Sequence, residues 1–98
     1  MNITKTLDGN QLTVEVEGRL DTMTAPELEQ ALNSEAENVS SLTLDFSKLQ
    51  YISSAGLRVL LTAHKRFLAK DGMKIRNANE IVREVFDVTG FNDILNIE

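Results

Sequence analysis

The side chains best suited to chemistry in this sequence stand together in "QYISSAGLRVLL", Gln50 to Leu61. Two hydroxyls, Ser53 and Ser54, precede the small residues Ala55 and Gly56 at the point where an apolar run passes into a helical pattern. Such a junction can serve as a helix cap, an anion cradle, a nucleophile, or an acceptor of charge added by another enzyme. A nucleophilic serine needs a base, and the only histidine, His64, lies about two and a half to three turns further along the same helix. It cannot reach, and its place in the apolar stripe marks it as a half-buried residue at the edge of the core. Helix amides near Ser53 to Gly56 favour anions, but the Gly-x-x-x-x-Gly-Lys-Ser/Thr spacing of a nucleotide loop is absent. As a purely structural device, Ser53 would cap the helix, and Ala55 and Gly56 would be small so that the turn packs closely. Asp21, Asp45, Asp87 and Asp93 are spread over different elements, with no second histidine and no cysteine to complete a metal ligand set. Catalytic, cofactor and metal roles therefore have no candidate set, and the hydroxyls are left as cap or acceptor.

The elements that must position this junction follow from periodicity. "QLTVEVEG" alternates Leu12, Val14 and Val16 against Thr13, Glu15 and Glu17, a strand with one buried face. Asp8-Gly9-Asn10 before it is hairpin-turn chemistry, so the chain opens strand-turn-strand. In "DTMTAPELEQALNSEAEN", Thr24 and Glu27 have capping-box spacing, Pro26 suits a first turn, and Leu28, Ala31 and Leu32 form the inward stripe. "SLTLDF" is a third strand, with Leu49, Tyr51 and Ile52 tying the following loop to the core. From Ser54 a second helix carries Leu57, Leu60, Leu61, His64, Phe67 and Leu68 inward and Arg58, Lys65, Arg66 and Lys70 outward or late, before the stop signal Gly72. "MKIRN" is a short strand, Ile81, Val82, Val85 and Phe86 line a third helix ending at Gly90, and "FNDILNIE" supplies a last short strand. The order is β-β-α-β-α-β-α-β. Alternating strands and helices require crossovers, so the class is α/β with a mixed, mostly parallel sheet and helices packed on it.

Composition bounds what this domain meets. With 98 residues, 42% hydrophobic and 26% charged and a single proline, the chain suits one compact domain, residues 1–98, that folds alone. No apolar run approaches the roughly 20 residues of a bilayer span, and "MNITKTLDGN" lacks the basic and apolar halves of a signal peptide, so a cytoplasmic location is expected. The net charge of -5 repels phosphate backbones and anionic lipids, which argues against direct nucleic-acid or membrane binding and for a protein partner.

Three stretches carry a resemblance that spans nearly the whole chain: "GRLDTMTAPEL", "LTLDFSKLQYISSAGLRVLL" and "VREVFDVTGF". Together, and in this order, they resemble the bacterial anti-sigma factor antagonists, single-domain members of the STAS group. The resemblance implies a binding protein, not an enzyme, that works without a cofactor by partner switching in transcription regulation. Unphosphorylated, such a protein binds an anti-sigma factor that is also a serine kinase and so frees a sigma factor. Phosphorylation by that kinase ends the complex, and a metal-dependent serine/threonine phosphatase restores it. Carried over, the acceptor is Ser54, with Ser53 the alternative, and the partner-binding set is Asp21, Thr24, Ser53, Ser54, Ala55, Gly56, Leu57 and Arg58. Ser53 stands where the family has an aspartate. The alternative role is a non-phosphorylated STAS subunit of a lipid-transport or sensory assembly.

Overall fold

The computed structural model describes all 98 residues. Strands β1 (Asn2–Asp8) and β2 (Gln11–Leu20) pair antiparallel about Gly9, whose φ of +62° makes the tight turn possible. Helix α1 (Ala25–Glu35) leads to β3 (Ser41–Asp45), parallel to β2, and helix α2 (Ser54–Leu68) leads to β5 (Met73–Arg76), parallel to β3. Helix α3 (Glu80–Thr89) and a 3-10 turn at Phe91–Asp93 precede β6 (Asn96–Ile97), which runs parallel to β5. The mixed, mostly parallel sheet expected from the alternation of elements is thus present, in the order β1-β2-β3-β5-β6.

A fourth strand, β4 (Leu49–Ile52), was expected only as a loop held to the core. It pairs parallel with β2 beyond the end of β3: β2 residues 11–15 face β3, and residues 18–20 face β4. The change of partner falls at Gly18, where a register shift and a φ of +108° bend the strand. Four residues carry too little period to separate such a strand from a loop.

Alternation divides the sheet into two unlike faces. Leu12, Val14, Leu42, Leu44, Met73 and Ile75 are buried in a core of 25 residues that the helices cover. On the other face, in register, lie Glu15, Asp45 and Arg76, with Lys48 pairing to Glu15 at 3.1 Å and Arg76 to Glu98 at 3.8 Å. Parallel sheets are commonly apolar on both faces; this one leaves a charged face open.

The inward stripes differ from the sequence expectation at their edges. In α2, Leu57, Leu60 and Phe67 are buried as expected, but Val59 and Ala63 join them while Leu61 is half-buried and Leu68 is 64% exposed. Leu28 and Leu32 of α1 are buried with Ala25, and Ala31 is only half-buried. In α3, Val82 and Phe86 are buried, Val85 is half-buried and Ile81 faces outward. A helical stripe assigns residues to a face only to within about one position, since several share each 100° sector. His64 is half-buried, and its Nδ1 is sealed without a hydrogen-bond partner. Lys70, after α2, donates from Nζ to the carbonyls of Ala36 and Val39, which would otherwise lack partners beyond the end of α1.

Candidate functional site

The carboxyl ends of β2 and β4 lie side by side, with Arg19 opposite Tyr51 and Leu20 opposite Ile52. The chain leaves one end toward α1 and the other toward α2. Ser53 N donates to Leu20 O at 2.9 Å, so the two exits are fastened at their base and Asp21 begins beside the start of α2. Ligand and partner sites in open α/β sheets gather at such carboxyl ends.

The exit toward α1 is organised by Asp21. Its Oδ1 accepts from Met23 N at 3.0 Å and Thr24 N at 3.2 Å. The Thr24 hydroxyl donates to Arg19 O at 2.7 Å and accepts from Asp21 N at 2.9 Å. The expected capping box is therefore not formed: Thr24 sits at the N-cap with helical backbone angles, and its hydroxyl is engaged upstream. Partial burial tends to raise the Asp21 carboxyl, but amide donors from Thr24 and Met23, the Thr24 hydroxyl and the Arg19 guanidinium outweigh it and hold the pKa below the ordinary value. Arg19 reaches Asp21 Oδ2 at 3.8 Å and lies over the Tyr51 ring at 4.5 Å from its centroid.

The start of α2 is less fully bonded. Ser53 occupies the N-cap with extended backbone (ψ 178°), yet its hydroxyl bonds no amide of the first turn, contrary to the expected cap. Ser53 Oγ is instead buried with no partner. By contrast Asn79 caps α3 in the ordinary way, accepting from Val82 N at 2.8 Å. The first helical bond of α2 runs from Leu57 N to Ser53 O at 3.0 Å, so the amides of Ser54, Ala55 and Gly56 precede the ladder. No acidic residue stands in this first turn. Ser54 is exposed, Ala55 is half-buried and Arg58, one turn on, is exposed.

Two members of the expected partner-binding set lie elsewhere. Gly56 and Leu57 are buried, Leu57 at 6% exposure, and face the core. A Cβ on Gly56 would stand 2.7 Å from Leu20 Cγ and 2.8 Å from Ile52 Cγ1. The missing side chain thus lets α2 sit on the ends of β2 and β4, and gives no extra room to a partner. Of the other six, Asp21 and Thr24 bond each other at the exit of β2, while Ser53, Ser54, Ala55 and Arg58 lie at the start of α2, which Ser53 N fastens to Leu20 O. Met23, 84% exposed in the same loop, is an apolar side chain that helix and strand patterns pass over. Its only sequence signal is a methionine between two threonines at a turn.

Residues 3–96 match the family model described as "Mlab, STAS domain". The chain is 30% identical over 98 residues to the anti-sigma-B factor antagonist of Bacillus subtilis, covering 99% of this chain and 90% of that protein. Among solved structures, an anti-sigma factor antagonist from Mycobacterium paratuberculosis superposes with a TM-score of 0.88 at 24% identity, over 98% of this chain and 83% of that one. SpoIIAA, also an anti-sigma factor antagonist, matches in two forms. The unphosphorylated form gives a TM-score of 0.84 at 17% identity over 99% of this chain and 88% of that one. The phosphorylated form, from Bacillus, gives 0.76 at 16% identity over 99% and 91%.

Proposed function

The chain belongs to the STAS family of anti-sigma factor antagonists, and from that premise we propose that it switches partners through Ser54. Unmodified, it binds an anti-sigma factor with serine-kinase activity and so releases a sigma factor. In the kinase's ATP-bound complex the Ser54 Oγ attacks the γ-phosphorus; the new O–P bond replaces the bond to ADP, and the hydroxyl proton is lost. A metal-dependent phosphatase reverses the change by hydrolysis.

The observation that carries this proposal is the contrast between two adjacent hydroxyls. Ser54 is exposed on the first turn of α2, whereas Ser53 Oγ is sealed. A kinase needs the oxygen in the open, so Ser54 is the acceptor and Ser53 is not. Phosphate brings about -1.5 to -2 charges at neutral pH. Unused amides and a first turn that carries no acidic residue make the helix start a tolerant place for it, with a favourable dipole contribution of about 0.3 to 1 kcal/mol. Against a docked protein the same anion has to be desolvated, at a cost of several kcal/mol unless a cation meets it. A net loss of about 3 kcal/mol lowers affinity about a hundredfold.

Ser54→Ala should hold the protein in its binding form, and Ser54→Asp should weaken binding to the cognate kinase, both measured by calorimetry. Mass spectrometry after incubation with candidate kinases and ATP should locate phosphate on Ser54. Equal affinities for the two variants would reject the electrostatic account.

A second reading has two observations in its favour: Ser53 stands at the family's aspartate, and the matching model carries the Mlab description. In it the same rim is a fixed docking surface of a lipid-transport or sensory assembly. It requires that no kinase modify Ser54 and that the chain co-purify with transport components.

A further inference from the structure

We propose that Arg58 receives the phosphate on Ser54 within the same helix, so that modification both adds an anion and withdraws a free cation from the docking rim. The proposal rests on Ser54 being the acceptor.

Eight of the ten Lys and Arg side chains reach an oxygen of a carboxylate, carbonyl, amide or hydroxyl. Arg58 and Lys65 reach none. Arg58 is exposed and lies four residues after Ser54, the spacing at which helical side chains meet. The order also suits an ion pair, because an acid four residues before a base is better aligned with the helix dipole than the reverse. A guanidinium offers a planar fork that two phosphate oxygens can accept from together. The first turn of α2 carries no carboxylate to compete for it, and Asp21, the carboxylate at the neighbouring exit of β2, is already engaged by Arg19 and by the amides of Met23 and Thr24.

Before modification Arg58 is therefore available to an acidic group on a partner. Afterwards it is occupied, and the residual negative charge stays at the rim. Lys65 shares the outward face but stands eleven residues from Ser54. That is about 16 Å along the axis, beyond the roughly 8 Å screening length at physiological salt. It should not take part.

The test uses the full chain with phosphoserine encoded at position 54, made without any kinase, and follows the second phosphate pKa by phosphorus-31 NMR. Arg58→Ala should raise that pKa by about 0.15–0.4 unit, the size expected of an i,i+4 ion pair. Arg58→Lys should restore part of the shift, and Lys65→Ala should leave the value unchanged. An unchanged pKa in Arg58→Ala, or equal shifts in Arg58→Ala and Lys65→Ala, overturns the proposal. Because the phosphoserine is installed directly, failure of kinases to modify Ser54 would be a separate result, one that counts against the switch and leaves the ion pair standing.

Discussion

Gly56→Ala is the sharpest probe of how α2 is seated. In an open helix the change would help, since alanine is favoured over glycine by about 0.8–1.0 kcal/mol. Here the new methyl would stand 2.7 Å from Leu20 Cγ, 2.8 Å from Ile52 Cγ1 and 3.0 Å from Leu20 Cδ2. Two of those atoms are not chain ends, and Leu20 and Ile52 are 0% and 1% exposed, so neither side chain can swing into solvent. Overpacking of this kind costs typically about 1–3 kcal/mol, and two blocked contacts favour the upper half of that range. After the propensity gain is subtracted, the net loss should be about 1–2 kcal/mol. For a domain of this size that lowers Tm by roughly 5–15 °C. Urea titration followed by far-ultraviolet circular dichroism, with a thermal scan alongside, measures both. A variant as stable as the parent would show that the start of α2 can lift away from β2 and β4, and would refute the close seating of α2 read from Gly56.

Ser53→Ala should leave stability within about 0.5 kcal/mol of the parent or raise it by up to about 1 kcal/mol, because it removes a sealed hydroxyl that has no partner; a loss of 1 kcal/mol or more in urea would mean that the hydroxyl caps α2 after all. The depressed pKa of Asp21 ties stability to pH in a definite direction: its contribution is complete above the unfolded value, about 3.9, and is lost as pH falls through the lower folded value. Asp21→Asn should therefore flatten the acid limb of a plot of Tm against pH between about pH 5 and pH 2, and an acid limb identical to the parent's would contradict the assigned hydrogen bonds.

The outline of the fold was legible because its long elements keep a clean period. Leu12, Val14 and Val16, or Val82 and Phe86, could hardly be buried in any other arrangement. What escaped was set by tertiary context. Strand β4 exists because β2 outruns β3 and offers free amides and carbonyls beyond it, a fact about two strands that no four-residue window contains. The Thr24–Glu27 spacing pointed to a capping box, but Asp21 takes the Thr24 amide that Glu27 would have accepted from, and the Thr24 hydroxyl turns back to Arg19 O. At the candidate site, the Ser-Ser-Ala-Gly stretch marked the junction that the structure places where β2 and β4 end and α2 begins. Nothing in its sequence could divide the labour within it, since whether a small residue faces a partner or the core depends on the twist of the helix against Leu20 and Ile52.

That division of labour bears on how a phosphate could act. Shifting a two-state equilibrium from 1:99 to 99:1 takes about 5.5 kcal/mol of differential stabilisation. A phosphate at the start of α2 supplies about 0.3 to 1 kcal/mol through the helix dipole, and an ion pair to Arg58 adds about 0.2–0.5 kcal/mol. Those sums fall well short of displacing a helix whose inner side is pinned by Gly56, Leu57 and Leu60. On the proposed switch, the change in affinity therefore arises where the partner touches, from the desolvation of one anion and the loss of one free guanidinium. It follows that Ser54→Asp should weaken binding while leaving the urea midpoint nearly where it was.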